Sequence, residues 1–512
     1  MKQVKKLLAL TLAILMVLPL VACGSGSNGH NPDASTKLDI VAADFGYGIK
    51  WLEAIAQAYM SKNPDVSIKV HKTVIPHQLL SNIEGGLTTY DIFMGTSGPM
   101  VDKGEKGVFV NLDDLYASVV ENDQTLADKL GTLAPYMGYN GHYYAVPYVA
   151  SNVGMVVNHD TMRALYGDNY TLPNTTDEFF KLSDDIKTKG AYPFIDTSNY
   201  SEYLIETWWA QYDPTGYANY WTGMYVDENG ETKQALNGES LNQPGKLAAL
   251  KLVDTLLNPM YGYNHRYAKD MDLQQGQLAL IGEGFGDIDT KKVAFVVNGS
   301  WLENELEMIL GEFPADLTMF RVPVISSIIE VLPDKSVAND AELSALISAI
   351  DAGSTALSGD GYEVTQNDFD RVRNARFAIS QNTTAHTAAI TSCCQNVDAA
   401  KDFLRFLATD EASAIAARAL KGVSLPFGYV PSTDKGYEIS KFVSSANALN
   451  QNASYIGHAS TTLTLNGLSI SKLIGTNLCT TMRNNLMSGE QIYNEDVLYY
   501  TNDWQFIIGA AK

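Results

Sequence analysis

The sequence predicts an α/β protein divided into two lobes, and three observations predict it. The chain has 512 residues, more than one ordinary hydrophobic core accommodates before a chain divides. Apolar runs of strand length recur between amphipathic stretches of helical length, the mark of sheets flanked by helices. The first set, Leu38–Ala42, Trp51–Lys62 and Val66–Val70, has the spacing of a right-handed strand–helix–strand unit on a parallel sheet. Hydrophobic residues make up 46% and charged ones 18%, which excludes a disordered chain. A formal net charge of −22 repels phosphate backbones, so no nucleic-acid partner is expected.

The chain opens with Lys2, Lys5 and Lys6, followed by an uninterrupted apolar run, Leu7–Val21. The run stops at Leu20-Val21-Ala22-Cys23, ahead of Gly24-Ser25-Gly26-Ser27-Asn28-Gly29. A positive start, a short apolar core and small residues at the end mark an export signal. The run falls short of the ~20 residues a transmembrane helix needs. The Leu-Val-Ala-Cys end resembles the lipobox of bacterial lipoproteins, which implies removal of residues 1–22 and lipidation of Cys23. An ordinary signal peptide or an uncleaved anchor is the alternative. Residues 23–36, rich in Gly, Ser and Asn, read as a flexible tether.

After Leu38–Ala42 comes the loop Asp44-Phe45-Gly46-Tyr47-Gly48, then a helix that places Trp51, Leu52, Ile55, Ala56, Tyr59 and Met60 on one face. Asn63-Pro64 ends it, and Val66–Val70 alternates as a second strand. A third, Asp91–Met94, runs into Gly95-Thr96-Ser97-Gly98. Open parallel sheets bind ligands at the carboxyl ends of their strands, so both loops are binding candidates. Tyr143–Tyr148 and Gly154–Asn158 read as further strands, after which a second lobe begins. Its first long helix starts at a capping box, Thr175 with Glu178, and ends by Gly190. An aromatic segment follows, from Tyr200, Tyr203, Trp208 and Trp209 to Tyr225. Leu247–Leu257, Ala341–Asp351 and Val397–Leu407 read as helices, and Val293–Val297 as an apolar strand that ends in Asn298-Gly299-Ser300-Trp301. Cys393, Cys394 and Cys479 are an odd number, which makes no disulfide framework. The adjacent pair reads as small core residues in preference to a vicinal disulfide. No Cys/His spacing suits zinc, and neither a metal nor a cofactor is expected.

Several stretches in this order carry a family likeness. They are Gly46-Tyr47-Gly48 with Trp51-Leu52, Tyr90–Phe93, Tyr144–Tyr148 leading to Val157-Asn158, Lys292–Glu303, Ala399–Leu407 and Leu425-Pro426. Together they resemble the extracellular solute-binding proteins of family 1, the carbohydrate-type receptors of ABC importers. The resemblance implies a hinged, two-lobed periplasmic-binding-protein-like fold of type II, each lobe a mixed sheet flanked by helices. Lobe 1 is expected over 37–148 plus 376–440 and lobe 2 over 149–375 plus 441–512. The crossings are expected near Tyr148–Asn152, Arg376–Gln381 and Lys441–Asn450. It further implies a sugar or oligosaccharide held in the cleft by a monomer, delivery to permease subunits, no catalysis, and a site on the outer face of the membrane. Phe295 stands where relatives usually carry methionine, and Gly95-Thr96-Ser97 where many carry an acid. Residues 213–245 and 326–375 look longer than in shorter relatives.

A pyranose presents a C–H face that rings cover and a hydroxyl rim that amides, carboxylates and hydroxyls bond. The chain offers both where topology points. The candidates are Asp44, Tyr47 and Trp51; Thr96 and Ser97; Tyr148 and Asn152; Tyr200, Tyr203 and Trp208; and Asn298 with Trp301. A binding protein for a polyamine or peptide is the first alternative, since the acidic charge would suit a cation. A surface glycoside hydrolase is the second; it needs two opposed carboxylates, for which Glu202, Glu283 and Asp287 are available.

Overall fold

The computed structural model describes residues 29–44, 46–95, 101–139, 141–149, 151–198, 200–283, 292–359, 362–381, 386–457, 464–465, 468–469 and 478–507. The first lobe is built on strand β1 (Thr36–Ala43), whose Leu38 and Ile40–Ala43 are buried on both faces, as a parallel sheet covered by helices requires. Helix α1 (Lys50–Lys62) packs Trp51, Leu52, Ile55, Ala56 and Tyr59 inward. Strands β2 (Val66–Thr73) and β3 (Ile92–Gly95) flank β1 in parallel register. The sheet is completed from two distant parts of the chain. One is β4 (Val146–Pro147); the other is β10 (Thr387–Ile390), antiparallel to both β3 and β4.

The second sheet centres on β5 (Asn152–Asn158), buried along its whole length. On one edge it pairs with β7 (Val293–Gly299), which carries β6 (Tyr192–Ile195) beside it. Its other edge is shared by β8 (Leu317–Phe320) and β9 (Ala378–Gln381), and β9 carries β11 (Ser454–Gly457). Helices cover the faces: α2 (Thr176–Thr188), α3 (Glu202–Tyr212), α4 (Pro244–Leu257), α5 (Leu302–Leu310), α8 (Lys441–Ala448), α9 (Leu478–Arg483) and α10 (Gly489–Ile507). The first lobe keeps α6 (Val397–Leu407) and α7 (Asp410–Ala419). The fully buried Lys246 of α4 donates to Asp496 of α10 at 3.1 Å and to the Tyr220 hydroxyl at 2.8 Å, which ties the last helix to the lobe.

The chain crosses between sheets from Pro147 to Asn152, from Gln381 to Thr387, and before Lys441. Two expected boundaries therefore move. Residues 376–381 were expected in the first lobe, but β9 is hydrogen-bonded between β5 and β11 of the second sheet. Helix α8 packs on β8, so the third crossing precedes the expected 441–450. The end of the expected tether is docked rather than loose. His30 lies 3.2 Å from the Ser67 hydroxyl and 3.1 Å from Asp39, Asn31 N–H donates to Ser67, and Ala34 is buried. At the start of α2, Thr175 accepts from Glu178 N–H at 3.2 Å as a cap should, while the Glu178 carboxylate reaches one residue further, to Asn174 N–H. No disulfide joins Cys393, Cys394 or Cys479.

Candidate functional site

The loop after β1 turns on two glycines in the left-handed region, Gly46 at φ 64° and Gly48 at φ 63°. Side chains are strained in that conformation. The loop carries Tyr47 towards the other lobe, where its hydroxyl lies 2.7 Å from the Ser300 hydroxyl and its ring meets Trp301 edge-on at 6.5 Å. Trp51, in the first turn of α1, donates its indole N–H to Gly48 O at 2.9 Å and stacks on Tyr148 at 5.8 Å. Tyr148 donates to Gly95 O at 3.3 Å and sets its ring against His386 at 6.0 Å.

From His386 the rings continue into the second lobe. Trp301 lies 6.1 Å from His386 and 5.8 Å from Tyr200, and Tyr200 lies 6.2 Å from Tyr203. Trp301 closes β7 just ahead of α5 and folds its indole back over Gly299, where an added Cβ would come within 2.2 Å of the ring. Glycine is required there by close approach. The result is a continuous belt of rings from Trp51 to Tyr203 that runs across both lobes.

Polar contacts close the lobes around it. Asn304 donates its side-chain amide to Gly46 O. Glu305 accepts from Gly46 N–H and, at 2.6 Å, from the Gln277 amide. Lys421 pairs with Glu307 at 2.6 Å. Tyr47, Ser300, Glu303 and Asn304 share a cavity of about 30 Å³, space for a single water. Burial pushes the Glu305 carboxyl up against the pull of Gln277 and Gly46, and raises the Tyr47 and Tyr200 hydroxyls with the Glu305 charge adding to both.

Of the residues singled out by sequence, Tyr47, Trp51, Tyr148, Tyr200, Tyr203 and Trp301 come together in the belt. Asp44 is partly buried at the end of β1, 3.5 Å from Lys72. Asn298 is buried; its carbonyl oxygen accepts from Gly299 N–H at 2.7 Å and its amide nitrogen has no hydrogen-bond partner. Two residues are placed elsewhere. Asn152 spends its amide on Ala446 O at 3.1 Å and Asn450 at 2.9 Å, holding α8 against β5. Trp208 is fully buried and donates to Pro323 O at 3.0 Å, because α3 is buried on every side from Tyr203 to Gln211. Thr96, Ser97 and Asp287 lie outside the described residues, and Glu283 is exposed. His386, Asn304 and Glu305 are not marked by any sequence signal, and Ser300 shows there only as a member of the Asn298–Trp301 stretch.

Two α/β lobes that close on a belt of rings make up a clamp for a small solute, the architecture of a binding protein. The chain belongs to the bacterial extracellular solute-binding protein family, whose model matches residues 54–450. No curated protein sequence matches it. Among solved structures it is similar to a chitin oligosaccharide binding protein, at 14% identity over 92% of this chain and 99% of that one, with a TM-score of 0.60. It is similar to RafE in complex with raffinose, at 15% identity over 91% and 99%, TM-score 0.57. The third is the GacH receptor of Streptomyces glaucescens, at 14% identity over 93% and 100%, TM-score 0.57. These likenesses carry the fold.

Two outcomes follow from this geometry. Ser300→Ala removes a buried cross-lobe hydrogen bond of about 1 kcal/mol net, so the ligand-free protein should open roughly fivefold more often and its radius of gyration in X-ray scattering should rise; an unchanged profile would refute the latch. The Glu202 carboxyl is pushed up to about 8, first by burial and then by Glu206 and Asp196, against a hydrogen bond from Leu478 N–H. A folded carboxyl that holds its proton more tightly than the unfolded one, at 4.5, contributes stability that is lost as pH rises towards 8. Glu202→Gln should therefore gain melting temperature over the parent progressively from pH 5 to pH 8. Parallel melting curves across that range would count against the assignment.

Proposed function

We propose that this protein captures a neutral saccharide between its lobes and presents it, closed, to the permease of an ABC importer. The observation that carries the reading is the belt from Trp51 through Tyr148, His386 and Trp301 to Tyr200 and Tyr203. Rings of this kind cover the C–H face of a pyranose, and the hydroxyls and amides of Tyr47, Ser300, Asn298 and Asn304 suit its rim. Structures of similar fold are described with raffinose and acarbose, or named for chitin oligosaccharide, which supports a sugar. Ligand that touches both lobes binds the closed form better than the open one and shifts the population towards it. In doing so it replaces the Tyr47–Ser300 and Asn304–Gly46 bonds with its own hydroxyls, so no polar group need be left unpaired.

The residues that touch substrate bind it and transform nothing. Delivery implies a place outside the membrane, held by acyl chains on Cys23, each contributing ~0.8 kcal/mol per buried CH₂.

A thermal-shift screen against mono- and oligosaccharides should find a ligand that stabilises by ~3–4 kcal/mol when present far above its dissociation constant. Trp301→Ala should weaken that ligand by at least ~2 kcal/mol, roughly 30-fold. Stabilisation by polyamines or peptides alone would overturn the sugar, and product formed from the sugar panel would overturn binding without catalysis. For the anchor, the Cys23→Ser variant should leave the detergent phase in which the parent collects; equal partition of the two would exclude lipidation at Cys23.

A further inference from the structure

A buried ion pair stands behind Tyr200. Asp196 follows β6 and is 4% exposed; Arg483 ends α9 and is 6% exposed. One terminal nitrogen of Arg483 donates to the Asp196 carboxylate at 2.7 Å, to Asp196 O at 3.2 Å and to Ser198 O at 2.9 Å. The other donates to the Thr480 hydroxyl at 3.2 Å. The second Asp196 oxygen accepts from Ser201 N–H at 3.1 Å and from the Ser201 hydroxyl. Asp196 N–H is held by Asn264 at 2.9 Å, and Tyr200 N–H donates to the Ser198 hydroxyl at 3.3 Å.

Both ends of the turn from Asp196 to Ser201 are thus fixed, its carbonyls by Arg483 and its last N–H by Asp196. The turn delivers Tyr200 to Trp301, and α3 begins on it with Tyr203 in its first turn. We propose that Arg483 is a positioning residue, acting through this turn to set the Tyr200 ring against Trp301 and so to shape the second-lobe wall of the cleft. Lysine would not substitute fully, because a planar guanidinium reaches the turn and Thr480 at once, whereas an ammonium is a single point charge. The proposal deepens the saccharide reading and rests on it only for its second readout.

The first readout is ligand-free. The protein is labelled with 5-fluorotryptophan, and the Trp301 resonance is assigned among the six tryptophans by Trp301→Phe. Arg483→Gln should move that resonance. Asn485→Gly is the control: Asn485 accepts from Asn258 at 3.0 Å and ties the same C-terminal segment to α4, away from the turn. It removes that bond and should leave the Trp301 resonance where it is. If Arg483→Gln does not fold, Arg483→Lys takes its place and should give a smaller displacement in the same direction. A Trp301 resonance that stays put in the Arg483 variants, or moves equally in Asn485→Gly, overturns the proposal. The second readout is affinity for the saccharide found by screening. Arg483→Gln should weaken it at least roughly tenfold in the parent and not further in a Tyr200→Ala background; an equal loss in both backgrounds also overturns it. Displacement of Trp301 with no saccharide bound by any variant, parent included, leaves positioning intact and removes the sugar.

Discussion

The seating of one indole governs this molecule. Trp301 touches Tyr47 and His386 on one side and Tyr200 on the other, so it is the ring at which the two lobes meet. Its place follows from short-range chemistry. β7 ends at Gly299, the only residue that lets the indole lie 2.2 Å from where a Cβ would be, and α5 then starts immediately. Edge-to-face contacts of this kind contribute ~0.5–1.5 kcal/mol each beyond burial. A few of them together match the difference between two positions of a hinge.

Around that ring the polar groups are arranged so that closure without ligand is satisfied and still replaceable. Tyr47 and Ser300 are both hydroxyls, and Asn304 meets a backbone carbonyl. Each such bond contributes only ~1 kcal/mol net because water competes for the same groups. A sugar hydroxyl can take either place. Glu305 is different: its carboxyl is held by Gln277 and by Gly46 N–H in a buried setting, so it fixes the Gly46–Gly48 loop instead of competing for ligand. The rings of Tyr47, Trp51, Tyr148, Trp301, Tyr200 and Tyr203 are uncharged, whereas Glu303, Glu305 and the Glu307–Lys421 pair stand beside them.

Much of this was legible in sequence, for identifiable reasons. Gly46-Tyr47-Gly48 and Asn298–Trp301 stood out because each follows an apolar strand and carries the family likeness; their glycines serve left-handed turns and a close approach. β1, α1 and α6 showed their periods and fell nearly where expected. Trp208 and Trp209 were not separable, because α3 is buried all round and a helix without a polar face has no direction to read. Asn152 looked like a ligand contact because it follows Tyr148 at a crossing; its role depends on α8, nearly 300 residues later. His386 carried no signal at all, being a lone histidine whose neighbours in space come from both lobes. β9 was misplaced by its neighbours in sequence, since a strand of four residues belongs to whichever sheet offers an open edge.

Division of labour between the lobes follows from how each ring is held. In the first lobe, Trp51 and Tyr148 are locked by their own hydrogen bonds to Gly48 and Gly95 carbonyls, so that wall is rigid by local means. In the second, Tyr200 is half-buried and rests on a turn whose carbonyls are held from α9, nearly 300 residues further along the chain. A wall fixed locally changes only when its own residues change. A wall held from a distant segment can be re-aimed by substitutions that never touch the ligand, because the turn transmits them to Tyr200. Differences in solute preference among chains of this fold therefore need not lie in the rings themselves; the second lobe can vary its wall through the segments that brace it while the belt keeps its composition.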